Sequence, residues 1–145
     1  MKKSERLKTV ADIKASQANK AMETWGLAQR KYSDLLKQVD GLKVYRLEYQ
    51  NNFNRLGGSG VKVAQLLEYR SFIEKLDKAI LGQEQALAML EAEMIGKRKV
   101  WEELHNRSQG LKKICDAALA VEIKQQDKRE QLEQDERAGR LRRDV

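Results

Sequence analysis

Proline is absent from this chain of 145 residues, so no position breaks a helix through a missing N–H or a ring clash. Glycine is sparse, at nine residues, and three of these fall together with a serine in Gly57-Gly58-Ser59-Gly60. With nothing else to punctuate the chain, that cluster is the one point at which a long helix reverses direction. A single cysteine, Cys115, excludes an internal disulfide and any thiolate cluster, in keeping with a reducing compartment. A single histidine, His105, excludes a His-pair metal site. Two Trp, two Phe and four Tyr leave little bulk for a globular centre and favour a long seam. The longest apolar runs, 86–90 and 117–121, are five residues each, against the ~20 that span a bilayer, so no membrane insertion is expected. The basic start Met1-Lys2-Lys3 imitates a signal-peptide n-region, but Ser4-Glu5-Arg6 and Asp12 stand where an apolar stretch would have to follow. The expectation is a cytoplasmic protein.

What is present is charge and periodicity. The net charge is +7, yet acids and bases are interleaved along most of the chain and no run of five or six basic residues occurs. That pattern suits the solvated faces of long helices, with polyanion binding as the alternative. The segment through Lys20 is the most lopsided, with six Lys or Arg against two acids.

From Leu7 to Leu56, apolar or small residues recur at steps of three and four, including Trp25, Ala28, Tyr32, Leu35, Val39, Leu42, Tyr45, Tyr49 and Phe53, with Lys14 as the clear break. This spacing lines one face of an α-helix and is wrong for a strand. After the glycine cluster the pattern becomes heptads. Leu66, Ile73, Ile80, Leu87, Met94, Trp101, Ser108 and Cys115 form one row; Tyr69, Leu76, Gln83, Leu90, Lys97, Leu104, Leu111 and Ala118 form the other. A seven-residue repeat this long implies a left-handed coiled coil, and so narrow a stripe needs a partner helix, which the first arm supplies. Gln83, Lys97 and Ser108 interrupt the seam and can fix its register. Gly26 and Gly41 mark soft points or places of close approach; Gly82, Gly96 and Gly110 weaken the second arm.

The expected fold is all-α: two long helices in an antiparallel coiled-coil hairpin, the second overhanging at its C terminus. Residues 1–145 form a single elongated domain with a turn near 57–60 and an overhang at 118–145. Folding at the turn brings Tyr45 to the neighbourhood of Phe72, Leu42 to that of Leu76, and Met1 near Ala117. The overhang is rich in Glu, Gln, Asp, Lys and Arg, with Ile123, Leu132 and Leu141 as sparse apolar points; alone it is expected to be partly disordered or a single exposed helix, able to order when a partner supplies the missing face.

No catalytic set is found, and neither an enzyme nor a cofactor is expected. Cys115 lies on the seam, where a small apolar role is expected. His105, Glu102-Glu103 and Asp135-Glu136 read as surface residues. The glycine cluster lacks the Gly-Lys-Ser/Thr ending and preceding strand of a phosphate loop. A more informative constellation is Gln38, Leu42, Tyr45 and Tyr49, spaced four, three and four, with Phe72, Leu76, Ala79 and Gln83 repeating that spacing at the same level of the hairpin. Spacing leaves two readings open: a widened core, or a protein-binding patch with aromatic anchors.

The central block then resembles a known family. "LKVYRLEYQNNFNRLGGSG", followed by "LEYRSFIEKLDKAILGQEQAL" and by Trp101 in "KRKVWEEL", is similar to the flagellar type III export family FliJ. The shared pattern is two tyrosines four apart, an Asn-rich arm end, the turn, Tyr-x-x-Phe-Ile-x-x-Leu-x-x-Ala-Ile-x-x-Gln and a later tryptophan. The resemblance implies a cytoplasmic two-helix protein, monomeric when free, associated peripherally with the inner-membrane export apparatus at the flagellar base. It implies a non-enzymatic role in flagellum biogenesis, motility and protein export. It further implies a rod that fits the hexameric export ATPase as a central stalk, through its N terminus and C-terminal helix, and that contacts export chaperones and the export-gate membrane protein's cytoplasmic domain. It assigns gate binding to Gln38, Leu42, Tyr45, Tyr49, Phe72, Leu76, Ala79 and Gln83. This chain departs from the pattern at Gln83, where relatives can carry histidine.

Three other readings compete: a stalk of a virulence injectisome or rotary ATPase, a basic coiled-coil nucleic-acid binder, and a homodimeric structural coiled coil. Steep salt dependence of DNA or RNA binding marks the second. A paired mass in light scattering marks the third, and a monomer supports the internal hairpin.

Overall fold

The computed structural model describes residues 2–58, 60 and 62–144. The protein is all-α: α1 (Lys3–Gly57) and α2 (Val63–Arg143) pack antiparallel, and no strand occurs among the described residues. Helices of 55 and 81 residues follow from the lack of proline and from a repeat that keeps one apolar stripe turned toward the same partner.

The ends are finished locally. Gly58 donates its N–H to the Arg55 carbonyl at 3.3 Å, tightening the last turn of α1. Gly60 then takes φ +76°, a left-handed backbone that a Cβ disfavours by roughly 1–2 kcal/mol. Ser59, inside the glycine cluster, lies outside the described residues. The Lys62 carbonyl accepts from the N–H groups of Gln65 (3.0 Å) and Leu66 (3.3 Å), opening α2. Arg140, Arg142 and Arg143 occupy its last turn, cations at the negative end of the helix dipole.

The chain divides into two compact units. In Met22–Lys99 the core consists of Ala28, Val39, Ile73, Leu76 and Ile80, all on the stripes expected from spacing. Val39 is the deepest, at 1% exposure. Leu67, Leu81 and Met89 lie off those stripes and are exposed.

The other unit joins Met1–Ala21 to Val100–Val145, and Ser4, Ala18 and Ser108 are buried in it. The first N–H groups of a helix have no partner within it. Ser4 meets that need across the seam: its N–H donates to Glu122 Oε1 at 3.1 Å and its hydroxyl donates to Glu122 Oε2. The Cys115 thiol donates to the Ser4 carbonyl at 3.5 Å. Glu122 is thus a cap for α1 supplied by α2, with its charge at the positive end of the α1 dipole. The count from the turn starts the overhang at 118, whereas this contact carries pairing to Glu122, because a glutamate side chain reaches past its own level. Residues 123–144 are exposed apart from Gly139. Met1, which the count places near Ala117, lies outside the described residues.

Of the two roles open to Gly26 and Gly41, soft point or close approach, the structure leaves the first. Gly26, Gly41, Gly82, Gly96 and Gly110 all continue their helices, and a Cβ added at any of them would meet nothing within 4 Å. They are not places of close approach; what remains is their low helix propensity.

The Ser4 hydroxyl, and after it the Ser4 N–H, holds the Glu122 carboxyl below the ordinary glutamate range. A group depressed on folding stabilises above that range, and the contribution is lost as pH falls through the folded value. Acidification through that window, and Glu122→Gln at neutral pH, should each speed amide exchange in the first turns of α1 severalfold after correction for intrinsic rates. Unchanged protection in both cases would refute the cap.

Candidate docking patch

Heptad geometry gives the seam of Met22–Lys99 two unlike edges. Asp77 and Glu84, seven residues apart, lie on one edge; Phe72 and Ala79, also seven apart, lie on the other. The first edge is charged and clamped. Arg46 binds Asp77 in a two-pronged ion pair, with Nη2 to Oδ2 at 3.3 Å, and Lys43 Nζ lies 2.8 Å from Glu84 Oε1. Hydrogen bonding from Arg46 holds the Asp77 carboxyl below its usual range, and the Glu84 hydrogen bond raises Lys43. Both pairs are solvent-accessible, so they contribute more to register than to stability.

The second edge is aromatic. Tyr49 is its centre, with ring centroids 4.6 Å from both Tyr69 and Phe72. Tyr45 meets Phe72 edge-on at 6.2 Å and Tyr49 at 6.0 Å. Phe53 closes the far end against Tyr69 at 6.4 Å. Burial among these rings, then proximity of Tyr69, Tyr45 and Glu68, raises the Tyr49 hydroxyl above its ordinary value.

The eight residues singled out from the sequence are not equivalent here. Gln38, Tyr45 and Ala79 are exposed; Leu42, Tyr49, Phe72 and Gln83 are half-buried. Leu76, at 8% exposure, is part of the core. Gln83 sits in the seam with its Oε1 buried and lacking a hydrogen-bond partner. Tyr45 is the prominent ring, 46% exposed and backed by Phe72 and Tyr49. Tyr69 and Phe53 belong to the cluster, although their spacing assigns them to the seam. The signal was present, since Tyr69 stands one turn before Phe72 and Phe53 one turn after Tyr49. The cross-seam ion pairs carry only a faint sequence signal, bases on α1 and acids on α2 at facing levels.

Among the described residues no group of three or more His, Cys, Asp or Glu is placed to hold a metal, and no helix is long and apolar enough to cross a membrane.

The family model for the flagellar FliJ protein matches residues 2–144. This chain belongs to the FliJ family. It is 26% identical over 134 residues to the flagellar FliJ protein of Salmonella typhi, and 25% identical over 134 residues to that of Escherichia coli strain K12. Each comparison covers 92% of this chain and 91% of the FliJ relative. No solved structure matches it. FliJ membership makes this a flagellar, export-related protein, as the central block of the sequence implied.

The unequal burial predicts unequal costs. Leu76→Ala should destabilise the protein by about 3 kcal/mol and Phe72→Ala by about 2 kcal/mol in urea unfolding, as core truncations do. Tyr45→Ala should leave the midpoint nearly unchanged. Equal losses at Tyr45 and Leu76 would contradict the assignment of one to the surface and the other to the core.

Proposed function

We propose that the chain is a non-enzymatic coupling component of the flagellar type III export apparatus. It binds the hexameric export ATPase as a stalk through its N terminus and C-terminal helix, and stimulates it. It engages the export gate's cytoplasmic domain through the edge carrying Gln38, Tyr45 and Ala79, with export chaperones as further partners. It works at the cytoplasmic face of the flagellar base.

The observation that carries this reading is Tyr45, a half-exposed ring held in place by Phe72 and Tyr49 on the aromatic edge. An aromatic side chain already ordered by its neighbours loses little entropy on binding, which is what an interface anchor requires. Tyr49, Phe72 and Leu42 support the anchor from below, and Leu76 acts through the fold. The exposed helix beyond Glu122 offers the second partner a separate surface. Family membership favours the flagellar apparatus over a virulence injectisome.

Titration of the gate's cytoplasmic domain by calorimetry tests the patch. Tyr45→Ala should weaken binding at least tenfold, in the range of an interface hot spot, with the urea midpoint unchanged. Wild-type affinity in that variant would overturn the patch. Removal of 123–145, which spares the Ser4–Glu122 cap, should lower stimulation of the export ATPase, and full stimulation would count against the role of the overhang.

A further inference from the structure

Glycines stand at matching levels in the two helices. Arg46 faces Asp77 across the seam; five residues back along α1 is Gly41, and five residues on along α2 is Gly82. Phe53 lies against Tyr69, and twenty-seven residues back along α1 and on along α2 stand Gly26 and Gly96. Each helix rises about 1.5 Å per residue, so equal counts from a contact stay level. All four glycines belong to the unit Met22–Lys99. Since a Cβ at any of them would meet nothing within 4 Å, packing does not account for the missing side chains.

The seam is weak at the same two levels. Gln83, beside Gly82, buries an Oε1 without a hydrogen-bond partner. Lys97, beside Gly96, puts a half-buried charged residue on the seam. A soft point in one helix is splinted by an unbroken neighbour, so a paired structure bends only where both helices yield together. The Lys43–Glu84 ion pair, at 2.8 Å, ties the helices side to side within two residues of Gly41 and Gly82.

We infer that Gly41/Gly82 and Gly26/Gly96 are two hinges at which the helix pair bends as one body. The Gly41/Gly82 hinge falls inside the docking span, with Gln38 and Gln83 toward one side and Tyr45 and Phe72 toward the other. Bending there alters the spacing between the two ends of the patch, and a partner that grips both ends fixes the bend. That last step rests on the docking reading; the hinge itself is testable without a partner.

Hydrogen exchange by mass spectrometry on the full chain is the test. Segments 38–44 and 79–85, and likewise 23–29 and 93–99, should exchange roughly tenfold faster than 30–36 and 86–92, as locally opening segments do. Gly82→Ala should slow exchange about fivefold, the helix-propensity difference between the two residues, and should do so around Gly41 as well as around residue 82. Gly41→Ala should have the reciprocal effect. Slowing confined to the substituted helix, or wild-type exchange no faster than that of the intervening segments, would overturn the hinges. Adding the gate's cytoplasmic domain should slow the 38–44 and 79–85 level. If the alanine results hold and this effect is absent, the docking reading falls and the hinges stand.

Discussion

Everything in this protein depends on a single apolar seam between two helices, neither of which can cover its stripe alone. An isolated helix owes little to propensity and much to the face it buries, and here that face is about two positions per heptad wide. Val39, Ile73, Leu76 and Ile80 close over one another, while Leu67, Leu81 and Met89, off the stripe, stay in water. A seam this narrow makes register the decisive quantity. Sliding one helix past the other would separate Arg46 from Asp77 and Tyr49 from Phe72 together.

Register also divides the seam into two edges with different work. The charged edge, with Lys43, Arg46, Asp77 and Glu84, is screened by solvent and adds little stability, but its pairings distinguish one alignment from its neighbours. The aromatic edge leaves Tyr45 half-exposed on a bed of rings. Within the unit joining Met1–Ala21 to Val100–Val145 the same logic is used. Ser4 depends on a carboxylate more than a hundred residues away to satisfy an N–H that α1 cannot satisfy itself.

Much of the fold and part of the patch were legible from residue spacing. Equal rise per residue in both helices is enough to bring Tyr45 to Phe72, and the structure shows that pair in edge-on contact. Burial was less legible. Leu76 and Ala79 differ by three positions and both belong to the Phe72 to Gln83 stripe, yet one is in the core and the other in solvent. Spacing identifies a row of residues, whereas exposure depends on how closely the opposing row approaches. Tyr69 and Phe53 escaped for the complementary reason, because a ring assigned to the seam can also reach its edge. Glycine spacing likewise could not separate soft helix from close contact; only the empty space around each Cβ separates them.

By itself the sequence determined the helices, their single reversal at the glycine cluster, the heptad seam and membership of a family of flagellar proteins. The helices, the reversal and the seam follow from periodicity and from the absence of proline, which are local; family membership rests on the particular residues of the central block. The tertiary structure alone decided which edge is clamped by charge and which is left open, that Leu76 supports while Tyr45 is presented, and that Glu122 caps α1. Each of these depends on atoms far apart in the chain arriving at one level with a particular side-chain reach, and a list of residue types does not contain that geometry.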